Sequence, residues 1–303
     1  MDQEHDGKIL FQDNNVTILD CEKCGFAHMF PFPSLEEVNE IYQKHYYESL
    51  KPQYIEKDLE DLEWVELNYE RKYRLLMKHL KVGSRSPRIL DIGSSGGFFL
   101  HYFMKKGWDC LGIEPSPKAV SFARERFGLN VFQGSLEDFQ QEHSDPFDLI
   151  NICFVLEHCL SPQMILHKAY QLLKPRGFLL LEVPNDFNPL QELATRSLGI
   201  ARWWIAPPQH INYFTFQSFS LLLESMRFSV RERTTTWPME IFLIMGLNYV
   251  GNDQIGQQCH SLRKTMELNF LKNNQLNMIE SFYQTLTKIN WGRTIIILGQ
   301  KQS

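Results

Sequence analysis

Residues 89–100 read Ile89-Leu90-Asp91-Ile92-Gly93-Ser94-Ser95-Gly96-Gly97-Phe98-Phe99-Leu100. An apolar run that ends in Asp and Gly marks a short buried strand. The glycines at 93, 96 and 97 mark a tight turn, because they lack the Cβ that crowds a sharply bent backbone. From Phe98 the apolar residues take helical spacing as far as Lys106, and Gly107 closes the helix. The same alternation continues outward: strand 110–114, helix 117–127, strand 130–133, strand 147–154, helix 162–173 and strand 178–183. A helix at 216–226 and strands at 228–234 and 293–298 complete the pattern. Strand, helix, strand at this pace predicts an α/β fold of parallel strands joined by crossover helices, with both faces of the sheet covered.

Composition sets the outer bounds. The chain has 303 residues, 43% hydrophobic and 22% charged, enough for a substantial core and too apolar for a disordered chain. Its formal charge of -5 argues against broad attraction to nucleic acid or anionic membrane. The N-terminus, MDQEHDGKIL, lacks the basic and apolar regions of a signal peptide, and no apolar run reaches membrane-spanning length. A cytoplasmic setting with the six cysteines reduced is therefore expected. Texture divides the chain into four parts: a CxxC-bearing, aromatic, helical module at 1–83, the α/β core at 84–236, a helical insert at 237–292, and a last core strand with its tail at 293–303.

The glycine-rich turn offers free backbone N–H groups at a helix start, and Glu114 ends the next strand, placed to accept from a ribose diol. That pairing is common to nucleotide-binding α/β sheets. The glycine spacing is G-x-x-G-G rather than the G-x-G-x-x-G of dinucleotide sites. Asp91 stands immediately before the turn, where a carboxylate repels a pyrophosphate and suits a cation. S-adenosylmethionine carries both a sulfonium and an α-amino group. In these residues the chain resembles the class I S-adenosylmethionine-dependent methyltransferases, in particular the broad UbiE/UbiG-like group and the methyltransferase domain 23 type. Further matches follow in order: Glu114-Pro115-Ser116, Gly134-Ser135-Leu136-Glu137-Asp138, Phe154-Val155-Leu156-Glu157-His158-Cys159, and Leu172-Leu173-Lys174-Pro175-Arg176-Gly177.

The resemblance implies a Rossmann-like sheet of seven strands, the last of them antiparallel. It implies that Asp91, Gly93, Ser94 and Gly96 hold the methionine part of S-adenosylmethionine, Glu114 the ribose, and Ser135 with Leu136 the adenine, with Phe154 beside the cofactor. In the quinone methyltransferases of this type a carboxylate precedes the Glu-His pair and helps to hold a metal ion; this chain has Phe154 there. After strand 178–183 the chain runs through Asn185, Asn188, Gln191, Trp203, Trp204, His210 and Tyr213. The run is long for a connection in such a fold. Similar methyltransferases carry an H-x-x-Y/F-F element here, over the active site, so His210 is the candidate catalytic base or positioner; a neutral-range pKa suits that role. The amides and Tyr213 are candidate contacts to a polar substrate.

Cys21-Glu22-Lys23-Cys24-Gly25 has the form of a metal knuckle, two thiolates across a turn. The second CxxC of a zinc ribbon is absent; His28 follows at C-x-x-C-x-x-x-H spacing and His5 lies about sixteen residues upstream of Cys21, so His5, Cys21, Cys24 and His28 form a candidate structural zinc set. The segment also resembles the N-terminal module of some sugar C-methyltransferases, which walls the substrate pocket; the Tyr42, Tyr46, Tyr47 and Tyr54 cluster either lines that pocket or docks the module. The insert is a lid or a homodimer surface. The reading is a methyltransferase acting on a small or carrier-linked polar substrate, a sugar by resemblance alone, with no nucleic-acid or membrane partner. Its rivals are a non-catalytic S-adenosylmethionine-binding module and an NAD-dependent oxidoreductase on a similar sheet.

Overall fold

The computed structural model describes residues 5–13, 16–41, 53–81, 83–140 and 145–302. It opens with strands β1 (Gly7–Gln12), β2 (Thr17–Cys21) and β3 (Phe26–Phe30) and helices α1 (Leu35–Glu40), α2 (Tyr54–Glu60) and α3 (Leu62–Met77). The α/β alternation follows as β4 (Arg88–Ile92), α4 (Phe98–Lys105), β5 (Asp109–Glu114), α5 (Pro117–Phe127), β6 (Asn130–Gln133), β7 (Phe147–Cys153), α6 (Pro162–Leu172) and β8 (Leu173–Pro184). The remainder comprises α7 (Pro189–Leu198), β9 (Asn212–Tyr213), α8 (Phe216–Ser225), β10 (Phe228–Thr234), α9 (Glu240–Ile244), α10 (Asp253–Lys272), α11 (Leu276–Lys288) and β11 (Thr294–Lys301).

Seven strands form one sheet in the order β10-β11-β8-β7-β4-β5-β6. β4 pairs in parallel with β5 on one side and β7 on the other, and β11 lies antiparallel between β8 and β10. Ile89, Leu90, Ile150, Leu180, Leu181, Ile295 and Ile297 are wholly buried, as continuous apolar strands covered on both faces must be. One core cluster unites Leu90, Ile150, Leu166, Leu181 and Phe219; the other unites Leu76, Ile89, Leu100, Phe103 and Leu180. Strand order reverses between β4 and β7, and at their carboxyl ends such sheets leave a crevice.

Three elements differ from the sequence expectation. The N-terminal region is not only helical: β1, β2 and β3 form an antiparallel meander, and β9, far along the chain, adds a fourth strand by pairing Ala27 with Tyr213 and His28 with Asn212. The run after β8 contains α7, whose start is fixed by a capping box in which Asn188 accepts from the N–H of Gln191 and the Gln191 side chain accepts from the N–H of Asn188. The Lys174-Pro175-Arg176-Gly177 turn lies inside β8, which already pairs at Leu173 with Phe147. Tyr42, Tyr46 and Tyr47 lie outside the described residues. The insert packs on α3: Trp64 and Tyr283 both donate to Glu267, and the Arg71 guanidinium meets Glu280 at 2.5 Å and covers the Tyr283 ring at 4.3 Å. Among the described residues no helix is long and apolar enough to cross a membrane.

Candidate active site

A cavity of about 640 Å³ opens at the β4–β7 switch point. Its floor is the β4–α4 turn. Gly93 takes φ +75, a left-handed backbone that favours glycine, and a Cβ there would come within 2.6 Å of Val155. Asp91, 3% exposed, faces this floor and accepts a hydrogen bond from the Asn151 amide at 2.7 Å. Burial pushes its carboxyl up to about 7, against the pull of Asn151 and Lys72. Glu114, at the end of β5, accepts from the backbone N–H groups of Ser95 and Ser116, each at 2.9 Å. Burial pushes it also up to about 7, although both hydrogen bonds favour the carboxylate. The Ser94 hydroxyl is buried on the same wall with no hydrogen-bond partner.

The sequence-predicted cofactor residues divide into two groups. Asp91, Gly93, Ser94, Glu114, Ser135, Leu136 and Phe154 all line this one cavity. Gly96 does not: its missing Cβ makes room for the rings of Phe98 and Phe122 and for Ile55, at 3.0, 3.3 and 3.4 Å, so its smallness serves packing rather than a ligand. The Ser135 side chain is engaged locally, donating to Asp138 at 2.7 Å and accepting from the Asp138 N–H at 3.2 Å. Phe154, at φ 54 and 40% exposed, stands at the mouth.

The connection after β8 is not the cavity wall. Asn188 and Gln191 cap α7, Asn185 donates to the carbonyl of Gly292 at 3.0 Å, and Tyr213 donates to the carbonyl of His210 at 3.1 Å. Trp204 is a core plug, 5% exposed. His210 is not among the lining residues; its ring stands edge-on to His158, centroids 5.0 Å apart, and His158 is the imidazole on the wall. The physical reason is β9. Met29 donates to the carbonyl of Ile211, while the N–H groups of Ile211 and Asn212 donate to that of Glu157, so the run carrying His210 ties the small sheet to the β7–α6 loop.

Of the opposite wall, which comes from α1, α2 and α3, sequence reasoning named Tyr54 as a possible lining residue and missed Leu35, Val38, Asp58, Tyr69 and Lys72. Lys72 meets Glu182 of β8 at 2.5 Å and Cys153 at 3.6 Å, all of them in the interior. Burial opposes the charge on Lys72, but Cys153 and Glu182 beside it more than reverse that and hold its pKa above the usual lysine value. Two signals were present. Lys72 sits on the apolar stripe Val65, Tyr69, Lys72, Leu76 of an otherwise charged helix, and Glu182 interrupts an apolar strand that could hold a carboxylate only with a cation beside it.

The N-terminal donors do converge. One ligand atom from each of His5, Cys21, Cys24 and His28 lies within 4.8 Å of the others. His5 Nδ1 is 3.5 Å from Cys21 Sγ, 3.6 Å from Cys24 Sγ and 3.1 Å from His28 Nε2. A tetrahedral zinc with its usual bond lengths spaces such donors about 3.3–3.8 Å apart. The other ring nitrogen of His28 lies 3.0 Å from the Met29 carbonyl, the kind of second contact that fixes a ligand tautomer.

With this geometry in place, the comparisons are specific. Residues 64–233, more than half of the chain, match the profile of a methyltransferase domain. The ubiquinone biosynthesis O-methyltransferase of Actinobacillus pleuropneumoniae serotype 7 is 33% identical over 112 residues, 34% of this chain and 48% of that protein. The enzyme of the same name from Psychrobacter cryohalolentis is 27% identical over 141 residues, 42% of this chain and 53% of that protein. The chain thus spans about half the length of the curated relatives it matches. The 1,6-didemethyltoxoflavin-N1-methyltransferase of Burkholderia thailandensis, solved with S-adenosylhomocysteine, shares the fold at a TM-score of 0.52 and 14% identity, over 98% of this chain and 100% of that one. The plantazolicin methyltransferase BpumL does so at 0.51 and 16% identity, over 89% and 96%. On the profile match and this sheet, the chain belongs to the methyltransferase domain family, and with it to the class I S-adenosylmethionine-dependent methyltransferases.

Proposed function

We propose that this chain transfers a methyl group from S-adenosylmethionine to a small-molecule acceptor, and that a zinc ion bound by His5, Cys21, Cys24 and His28 secures its N-terminal sheet. The observation that carries the first part is that Asp91 and Lys72 line one cavity from its two walls, a buried carboxyl and a buried cation in each other's field. That pair is complementary to the two charged ends of an α-amino acid. The Ser94 hydroxyl, buried and without a partner, needs a polar group in the cavity. Asp91 would hold the amino group, Lys72 the carboxylate, Glu114 the ribose diol, and Leu136 the adenine face. When bound, the cofactor supplies a methyl carbon on a cationic sulfur, open to in-line displacement.

What the chain's own residues do follows from position. The Gly93 turn lets the backbone approach closely. Phe98, Phe99, Leu136 and Ile165 keep the inner cavity apolar, which excludes water and strengthens the charged contacts inside. α1, α2 and α3 close the acceptor side. A sugar acceptor is supported only by the likeness of the N-terminal module to that of sugar C-methyltransferases. Calorimetric titration with S-adenosylhomocysteine, followed by incubation with labelled S-adenosylmethionine and a metabolite extract, tests the reading. Binding with labelled product is expected. Binding with no labelled product from any pool would favour a non-catalytic module.

A further inference from the structure

The cofactor reading leaves Asp58 without a task. Asp58, on α2, lines the cavity, and among the described residues it has no hydrogen bond or ion pair. Asp61, between α2 and α3, differs: it is held by His260 at 2.8 Å and by Lys264, both from the insert. Tyr69 of α3, on the same wall as Asp58, lies in the fields of Asp58, Cys153, Asp91 and Glu182. Tyr54 and Tyr69 put aromatic rings on that wall. The charge balance is one-sided. Asp58, Asp91, Glu114, Glu137 and Asp138 line the cavity, whereas the described lining holds one lysine, already paired with Glu182.

We propose that the acceptor is an amine, and that Asp58 is the catalytic residue that binds its ammonium group against Tyr54 and Tyr69 and takes its proton. This rests on the methyltransferase reading of the same cavity. An unpaired carboxylate flanked by aromatic rings attracts a cation by Coulomb and cation–π terms together, and repels a phenolate or carboxylate acceptor. The step balances. One proton passes from the ammonium to the Asp58 carboxylate and exposes the nitrogen lone pair. That pair forms the new N–C bond as the methyl carbon's bond to sulfur breaks, its electrons staying on sulfur. The methylated nitrogen leaves as an ammonium, and Asp58 returns its proton to water. Burial pushes Asp58 up to about 6, with Asp61 adding to the effect, within the range of a base that works near neutrality. The groups in its field are Asp61, at the end of α2, and Tyr69 on α3; Lys72 on α3 and Asp91 on β4 line the same cavity.

The test uses the full chain loaded with S-adenosylhomocysteine and three matched pairs of probes: benzylamine and benzyl alcohol, tyramine and tyrosol, glucosamine and glucose. Calorimetry is expected to show at least one amine bound tenfold or more tightly than its partner, with the preference lost in Asp58→Asn and partly kept in Asp58→Glu. With labelled S-adenosylmethionine the preferred amine is expected to gain the label, at a rate that climbs through about pH 6 in the wild type and not in Asp58→Asn. Unchanged S-adenosylhomocysteine affinity in Asp58→Asn would show that the variant is folded. No amine above its partner, or a preference that survives Asp58→Asn, overturns the proposal. Failure of the wild type to bind S-adenosylhomocysteine would instead overturn the methyltransferase reading beneath it.

Discussion

Glu114 is the residue whose role was clearest in the sequence, because an acid at the end of the second strand has a fixed place beside the first turn. Both its oxygens already accept backbone N–H groups, so its carboxylate is aimed as well as present. Hydrogen bonds to a charged group are worth about 1.5–3 kcal/mol. Glu114→Ala is therefore expected to weaken S-adenosylmethionine binding by roughly tenfold or more, read by calorimetry; unchanged affinity would remove the ribose assignment. Lys72 was harder to read, its place on the apolar stripe of α3 being the weaker signal. Its neighbours in sequence are charged, and the fold shows which carboxylate it meets, Glu182. Lys72→Met strands a buried carboxylate and is expected to cost about 3–5 kcal/mol. The double variant Lys72→Met, Glu182→Leu is expected to regain most of that stability in denaturant melts while S-adenosylhomocysteine binding stays weak. Recovery of both together would assign the pair to the fold alone.

Among the elements, the α/β alternation was legible to about a residue at most boundaries, the start of β8 and the end of β11 excepted, since apolar runs and glycine or proline stops act locally. β9 was not. Two residues carry no periodic pattern, and Asn212-Tyr213 become a strand only because β3 presents an edge to them. The misplacement of His210 follows from that: a motif's spacing is visible in the chain, but which side of a wall it lands on is a tertiary fact. His158, on the wall, is expected to matter more. His158→Ala should lower turnover well beyond His210→Ala, and equal effects would restore His210 to the site. The small sheet carries a second expectation. Asn212 donates from its side chain to the carbonyls of Leu156 and Cys159, so β3 and its two neighbouring donors, His28 and Cys24, brace the loop that holds the cavity wall. Chelation, or Cys24→Ser, is expected to remove one equivalent of zinc, lower the melting temperature and weaken S-adenosylhomocysteine binding. A protein purified without metal and indifferent to chelator would end the zinc assignment.

At the scale of the whole molecule, three buried acids share a direction. Asp91, Glu114 and Asp186 are each pushed up to about 7, chiefly by burial. The folded chain without ligand then holds protons that the unfolded chain releases near pH 4. Its stability is expected to be greatest at or below pH 4 as far as these groups are concerned and to decline as pH rises to about 7. A cationic ligand reverses the preference at Asp91, so S-adenosylmethionine binding at pH 6–7 is expected to release protons. Calorimetry in buffers of different ionisation enthalpy reads that directly, and zero or net uptake would contradict the electrostatic account. None of this could be seen from net charge, which averages over acids that solvent neutralises and acids that the core isolates.

Phe26 belongs to the hydrophobic cluster beneath the main sheet and packs on Phe214 with ring centroids 5.2 Å apart. The chain's first thirty residues therefore furnish part of the interior of the domain that follows them. Cutting before the first parallel strand would not liberate an autonomous catalytic cassette; it would open a hole where an aromatic ring had been and leave the edge at Asn212 without a mate. Grafting the front half of this chain onto another methyltransferase would meet the same obstacle from the other side, because the recipient would have to supply both the hole and the edge.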